Sequence, residues 1–166
     1  MGAGASRQPF WFCTRSRREY DRVVRRSLAV LAAVAVAGCA QGQPKYPAEC
    51  SNGPAAVRAA LANAPDGAVA LGGVKLSDCL VPSADAGPLQ SFGGTVIDVA
   101  VVLVDRTRAG DQRAAAQLGY LRGALRRGAD PGLHEELLRR FDQELLRVDT
   151  RTPAFRRGEA AGRARG

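Results

Sequence analysis

From Pro88 to Val148 the apolar residues recur at steps of three and four, and this spacing constrains the fold more than any other feature of the chain. Leu89, Phe92, Val96, Val99, Ala100 and Leu103 share one helical face, with polar and Pro start signals from Asp85 to Pro88. Thr95 to Val104 is also rich in β-branched residues and suits a buried strand. Its length and periodic face favour helix. Asp111 then caps a third helix that turns Ala114, Leu118, Leu121 and Leu125 inward and ends at Gly128. Asp130-Pro131 opens a fourth, with a stripe of Leu133, Leu137, Leu138, Phe141, Leu145 and Val148. Short connections make such helices antiparallel neighbours in a small bundle.

Upstream, Asn52-Gly53-Pro54 starts a first helix that places Val57, Ala60, Leu61 and Ala64 on one face before Pro65-Asp66-Gly67 stops it. Residues 67–84 lack helical spacing and contain Gly72-Gly73, so an irregular or briefly extended segment is expected. Aromatics make up only 5% of the chain, which leaves a thin core of Ala, Leu and Val. After Thr150 the sequence is rich in Arg, Gly and Ala without a stripe, and reads as a basic disordered tail over 150–166. The expected fold is mainly α, a bundle of three to four helices over 53–149. At 166 residues the chain has room for one such domain.

The N-terminal region has a different character. Leu28 to Ala37 is an unbroken apolar run directly after Arg25-Arg26, and Val36-Ala37-Gly38 precedes Cys39. The run is short of the roughly 20 apolar residues that span a bilayer. Basic residues, a short apolar stretch and small residues before a cut are the pattern of a secretory signal peptide. Val36-Ala37-Gly38-Cys39 resembles the bacterial lipobox, with Val36 where Leu is usual. The alternative is an Ala-rich core helix that ends in Gly-Cys, but no polar face interrupts the run. The resemblance implies cleavage between Gly38 and Cys39, a diacylglyceryl group on the Cys39 sulfur, and lipid anchoring at the extracytoplasmic face of the cell membrane. Residues 1–38 would be the removed signal peptide and 39–52 a lipidated tether. Arg25-Arg26-Ser27-Leu28 also resembles part of a twin-arginine export signal, although Val24 stands where Ser or Thr is preferred. Residues 1–22 are long for a leader, and a translation start at Val23 or Val24 would give ordinary proportions. The body is similar to small lipoproteins of high-GC Gram-positive bacteria.

Given that processing, Cys13 leaves with the leader and Cys39 takes the lipid, so Cys50 and Cys79 remain as a pair on the oxidising side of the membrane. A disulfide between them would fasten the irregular segment to the first helix. A zinc site is the competing reading, but His134 is the lone histidine and no C-x-x-C occurs.

The formal charge of +8 is unevenly spread. Residues 1–38 hold seven arginines against two acids, and residues 151–166 hold five against one. Residues 39–150 hold twelve basic and thirteen acidic side chains, a balance of −1. A near-neutral body between basic ends argues against nucleic acid as a partner.

Few residues suggest chemistry. His134 with Glu135 and Glu136 lacks the second histidine of H-E-x-x-H, since Leu138 stands there. The two glutamates suit the first turn of a helix, where the backbone dipole favours them. Asp98 and Asp105 lie two helical turns apart and could flank a substrate or cation, or simply form a solvated face. Gly119 and Gly123 form a small-xxx-small step suited to close packing within the bundle. Arg122, Arg126, Arg127, Arg139, Arg140 and Arg147 could form a basic surface toward anionic headgroups or wall polymers, or pair with Asp142, Glu135 and Glu144. The resulting expectation is a membrane-anchored lipoprotein whose domain acts without catalysis, through protein or anionic envelope contacts. A small-ligand-binding lipoprotein is the alternative. An enzyme ranks third because no nucleophile–base arrangement is visible, and no cofactor or metal is expected.

Overall fold

The computed structural model describes residues 45–81 and 86–166. The leader, the Gly38–Cys39 cleavage step, Cys13 and Asp85 lie outside the described residues. A short 3-10 turn at Ala48–Ser51 buries Cys50 and leads into α1, Gly53–Leu61, which starts on Pro54 as its sequence predicts. Val57, Ala60 and Leu61 of α1 are buried, and so is Ala64 just beyond it. Two brief strands follow, β1 (Ala70–Leu71) and β2 (Val74–Lys75), paired antiparallel as Ala70 with Lys75 and Leu71 with Val74. Gly72 and Gly73 join them with φ of 54° and 96°. Two successive left-handed residues are what a two-residue hairpin requires, and only glycine takes both without strain.

A second 3-10 turn, Leu76–Cys79, carries Cys79 to Cys50, and the two form a disulfide with Cα atoms 5.6 Å apart. The bridge joins two turns, so it fastens the irregular segment ahead of α1. Residues 46–51, expected to be part of a tether over 39–52, therefore belong to the folded domain. Cys50 is 1% exposed and Tyr46 packs against the core, so the domain begins near residue 46.

α2, Ala86–Arg108, resolves the helix-or-strand alternative in favour of helix. Phe92, Val96, Val99, Ala100, Leu103 and Val104 are all at most 2% exposed. A β-branched residue costs a helix a few tenths of a kcal/mol, roughly 0.5. Burying its side chain returns about 1.5–3 kcal/mol, so packing decides the conformation. By length and composition α2 would also satisfy a membrane span, but its apolar side is committed to the core.

A tight corner at 109–111 returns the chain as α3, Gln112–Gly128. The Asp111 carboxylate accepts the Ala114 N–H at 2.9 Å, the expected N-cap, worth about 1 kcal/mol. From Ala114 to Leu125 every residue of α3 except Arg122 is buried, so this is the central helix and not a one-sided one. It also closes α1: Arg113 donates to the Ala62 carbonyl at 2.7 Å and Gln117 to the Leu61 carbonyl at 3.0 Å. Their i, i+4 spacing puts both donors on one face of α3, where they satisfy carbonyls left open at the end of α1.

α4, Glu135–Leu145, begins later than Asp130-Pro131 suggests. Gly132 takes a φ of 92°, and the Asp130 N–H donates to Nδ1 of His134 at 2.8 Å, so a separate turn precedes the helix. Leu133 is consequently 54% exposed, while Phe141 and Leu145 carry the buried stripe.

The tail expected to be disordered is a helix. α5, Pro153–Arg165, opens on Thr152, whose hydroxyl accepts the Phe155 N–H at 3.4 Å, with Pro153 in the first turn. It docks on α3 glycine to glycine. A Cβ at Gly119 would overlap the Phe155 carbonyl, and one at Gly123 the Glu159 carbonyl. From the other side, Gly158 faces the Ala116 carbonyl and Gly162 the Tyr120 carbonyl. Gly119 and Gly123 thus serve close packing within the bundle, against a partner that an apolar-stripe criterion does not detect. Residue pairs 116/158 and 120/162 keep one offset, so α3 and α5 run parallel. Contacts of Gly93 with Leu137 and of Asp105 with Arg147 make α2 and α4 parallel in the same way. The expected up-and-down arrangement therefore holds, extended by one helix.

Two stability outcomes follow. Replacing both Cys50 and Cys79 by Ala should lower the unfolding free energy by about 3.5 kcal/mol, since the bridge closes a loop of about 30 residues. Denaturant melts with unchanged midpoints would show that the bridge contributes nothing. Gly158→Ala should cost about 3 kcal/mol, because its Cβ has only backbone to displace. Amide exchange should then rise first along α5, whereas uniform loss across the chain would contradict its docking as a separable helix.

Candidate functional site

The residues singled out in the sequence do not converge. His134 sits at the N-cap of α4 and is 2% exposed. Because its Nδ1 accepts the Asp130 N–H, the ring proton belongs on Nε2, which is buried without a partner among the described residues. Glu135 and Glu136 occupy the first turn of α4, in keeping with the helix-dipole reading. Asp98 is exposed on α2, and Asp105 is held by Arg147 at 2.8 Å. Among the described residues no three His, Cys, Asp or Glu side chains gather in a geometry able to hold a metal ion.

The six arginines proposed as a basic strip are engaged internally. Arg122 reaches Asp142 at 3.1 Å and Glu159 at 3.4 Å, tying α3 to both α4 and α5. Arg126 shares Asp142 at 3.0 Å. Arg127 donates to the Arg163 and Ala164 carbonyls at 2.9 and 3.0 Å, where a cation suits the negative end of α5. Arg139 and Arg140 converge on Glu136, and Arg147 spans Asp105 and Glu144. Asp142 and Glu144 are partners named from the sequence. Glu135, also named there, makes no ion pair among the described residues, and Glu136 takes its place because it lies three and four residues before the two arginines.

With α5 folded, the charge balance of the body also changes. Residues 39–166 hold seventeen basic and fourteen acidic side chains, or +3, so the near-neutral body inferred from a loose tail is corrected. A separate local excess lies where α1, α2 and α3 meet, from arginines already counted in the near-neutral 39–150. A cleft of about 250 Å³ is lined there by Arg58, Leu61, Ala62, Leu103, Arg106, Arg113 and Gln117. Arg106 binds the Asp111 carboxylate through Nε at 3.1 Å and Nη2 at 2.6 Å. The Ala114 N–H, followed by the Arg106 guanidinium, lowers the pKa of Asp111, which keeps that carboxylate ionised. Arg113 spends one Nη on the end of α1, and Arg58 makes no hydrogen bond among the described residues. Leu61 and Leu103 supply apolar wall. The arrangement presents guanidinium donors over a small apolar surface, suited to binding rather than to bond-making. Sequence reading missed it because Arg58 and Arg113 are 55 positions apart. The one local signal is the 113/117 spacing on α3.

No protein-family model matches the chain, and neither a curated protein nor a solved structure matches it.

The Glu136 carboxyl offers a direct check on the α4 ion pairs. Hydrogen bonds from Arg139 and then Arg140 pull its pKa from the ordinary 4.5 down to about 2. A depressed carboxyl favours the folded state above its unfolded pKa and loses that contribution as pH falls through the folded value. Carbon-13 titration should therefore place Glu136 near 2, and Arg139→Ala should return it toward 4.5. An unmoved midpoint in that variant would show that Arg139 does not hold the carboxylate.

Proposed function

We propose that this chain is a membrane-anchored extracytoplasmic lipoprotein, held through lipid on Cys39, whose helical domain acts by non-enzymatic contact with protein or anionic envelope components. The buried Cys50–Cys79 disulfide is the observation that carries the reading, because such a bridge suits an oxidising compartment. It begins eleven residues after Cys39, so a chain exported and cut there would keep the bridge in its mature part, which supports the reading. Val36-Ala37-Gly38-Cys39 supplies the cleavage pattern, and two or three acyl chains at roughly 0.8 kcal/mol per methylene anchor a protein without a spanning helix.

The fold adds a geometric consequence. Tyr46 already packs on the core, which leaves six residues between it and Cys39. The seven Cα-to-Cα steps from 39 to 46 reach at most about 25 Å, so a lipidated domain would ride directly on the headgroup layer and not extend far from it. Partners within that layer are the ones it could meet.

Metabolic labelling with a fatty-acid probe should mark the wild-type chain and fail on Cys39→Ser, with the unlabelled variant retaining residues before 39. Label that persists on Cys39→Ser would remove the lipoprotein reading.

A further inference from the structure

We propose that the cleft between α1, α2 and α3 binds a phosphate-class oxyanion. Arg58, Arg106 and Arg113 come from three different helices and line one concavity of about 250 Å³. Among the three arginines Asp111 pairs only with Arg106, its other oxygen capping α3, so the three guanidinium charges against that one carboxylate leave a local excess of two. Donors remain free: Nη1 of Arg106, Nε and Nη1 of Arg113, and all of Arg58 among the described residues.

The count selects the ligand. A carboxylate is satisfied by a single guanidinium fork. A phosphate monoester carries about −1.5 to −2 charges near neutrality, with three strong acceptor oxygens, and matches both the excess charge and the several forks. Leu61 and Leu103 provide an apolar wall for the carbon atoms that adjoin a phosphoryl group. The volume lies below the roughly 300 Å³ at which pockets accept larger organic ligands, so the cleft takes a group of headgroup size. A soluble phosphate monoester and an exposed lipid phosphate share this chemistry.

Arg58 separates binding from stability, because Arg113 and Gln117 also close α1 whereas Arg58 bonds to nothing described. The test uses the full Cys39→Ser chain in non-ionic detergent, titrated with inorganic phosphate and with glycerol phosphate. Arginine side-chain nitrogen signals and calorimetry give the readout. Saturable shifts should appear at Arg58 and Arg113, and affinity for glycerol phosphate should fall about tenfold in Arg58→Gln. Arg140→Gln, on the outer face of α4, should leave it unchanged. Vesicle flotation then separates the sources. A preference for phosphatidic acid over pure phosphatidylcholine, lost in Arg58→Gln, assigns the lipid phosphate. Glycerol phosphate binding without that preference assigns a soluble monoester. Absence of saturable shifts with either anion, or equal weakening by Arg140→Gln, overturns the proposal.

Discussion

The contact between α3 and α5 is made of backbone. Gly119 and Gly123 on one helix meet Gly158 and Gly162 on the other so closely that a methyl group at any of the four would overlap a main-chain carbonyl. Such an approach brings many weak dispersion contacts into range along the length of both helices, without the rotamer entropy that long side chains would lose. The rest of the fold depends on it. α3 has apolar or small residues all round, and α5 covers the side that α1, α2 and α4 leave open. Phe155, fully buried, is the one large side chain that α5 contributes to the core.

Around this contact the charged residues act as fasteners. Arg122, the only residue in the middle of α3 that is not buried, links Asp142 on α4 with Glu159 on α5. Arg157 reaches Asp66 at 2.7 Å, joining α5 to the loop after α1. The exposed Arg157–Asp66 pair contributes about 0–1 kcal/mol and is not decisive alone, whereas the Arg122 pairs are partly buried and less screened. The Cys50–Cys79 bridge ties the turns on either side of α1 and the small hairpin, and the turn that carries Cys79 reaches the end of α5, where the Ser77 hydroxyl donates to the Gly166 carbonyl. A core short of aromatic rings is thus supported both by glycine packing and by a covalent link.

These arrangements differ in how legible they are from the sequence. The inward faces of α2 and α3 and the Asp111 cap follow from local spacing, and the cysteine pair follows once Cys13 and Cys39 are assigned to the leader and the lipid. The fold has all three features, whereas the Gly72-Gly73 hairpin was legible only as a briefly extended segment. α5 does not follow from spacing, because its packing face is glycine and glycine carries no hydrophobic weight. Its signals were of another kind. Thr152-Pro153 is a helix start, and Gly158 and Gly162 repeat the four-residue step of Gly119 and Gly123. A second clue lay on α3, where Ala115, Ala116, Gly119, Tyr120, Gly123 and Ala124 form an apolar face that a four-helix arrangement leaves bare. The arginine cleft was illegible for a different reason. It is assembled from three helices, and no window of sequence contains it.

The residues of that cleft show how a binding surface arises from structural needs. Arg113 and Gln117 are required where they are because α1 ends with open carbonyls beside α3. Arg106 is required because it steadies the carboxylate that caps α3. Each of these jobs calls for a donor, and two of the three place a full positive charge at the same corner. Repulsion between them is moderate, since the Arg106 side chain is 51% exposed and water and salt screen it. Arg58 adds a further charge with no bond to any described residue, so helix closure and capping account for the cluster only in part. Arg58 stands in the last turn of α1, where a cation suits the negative end of the helix, and its unspent donors are the ones an anionic ligand would use.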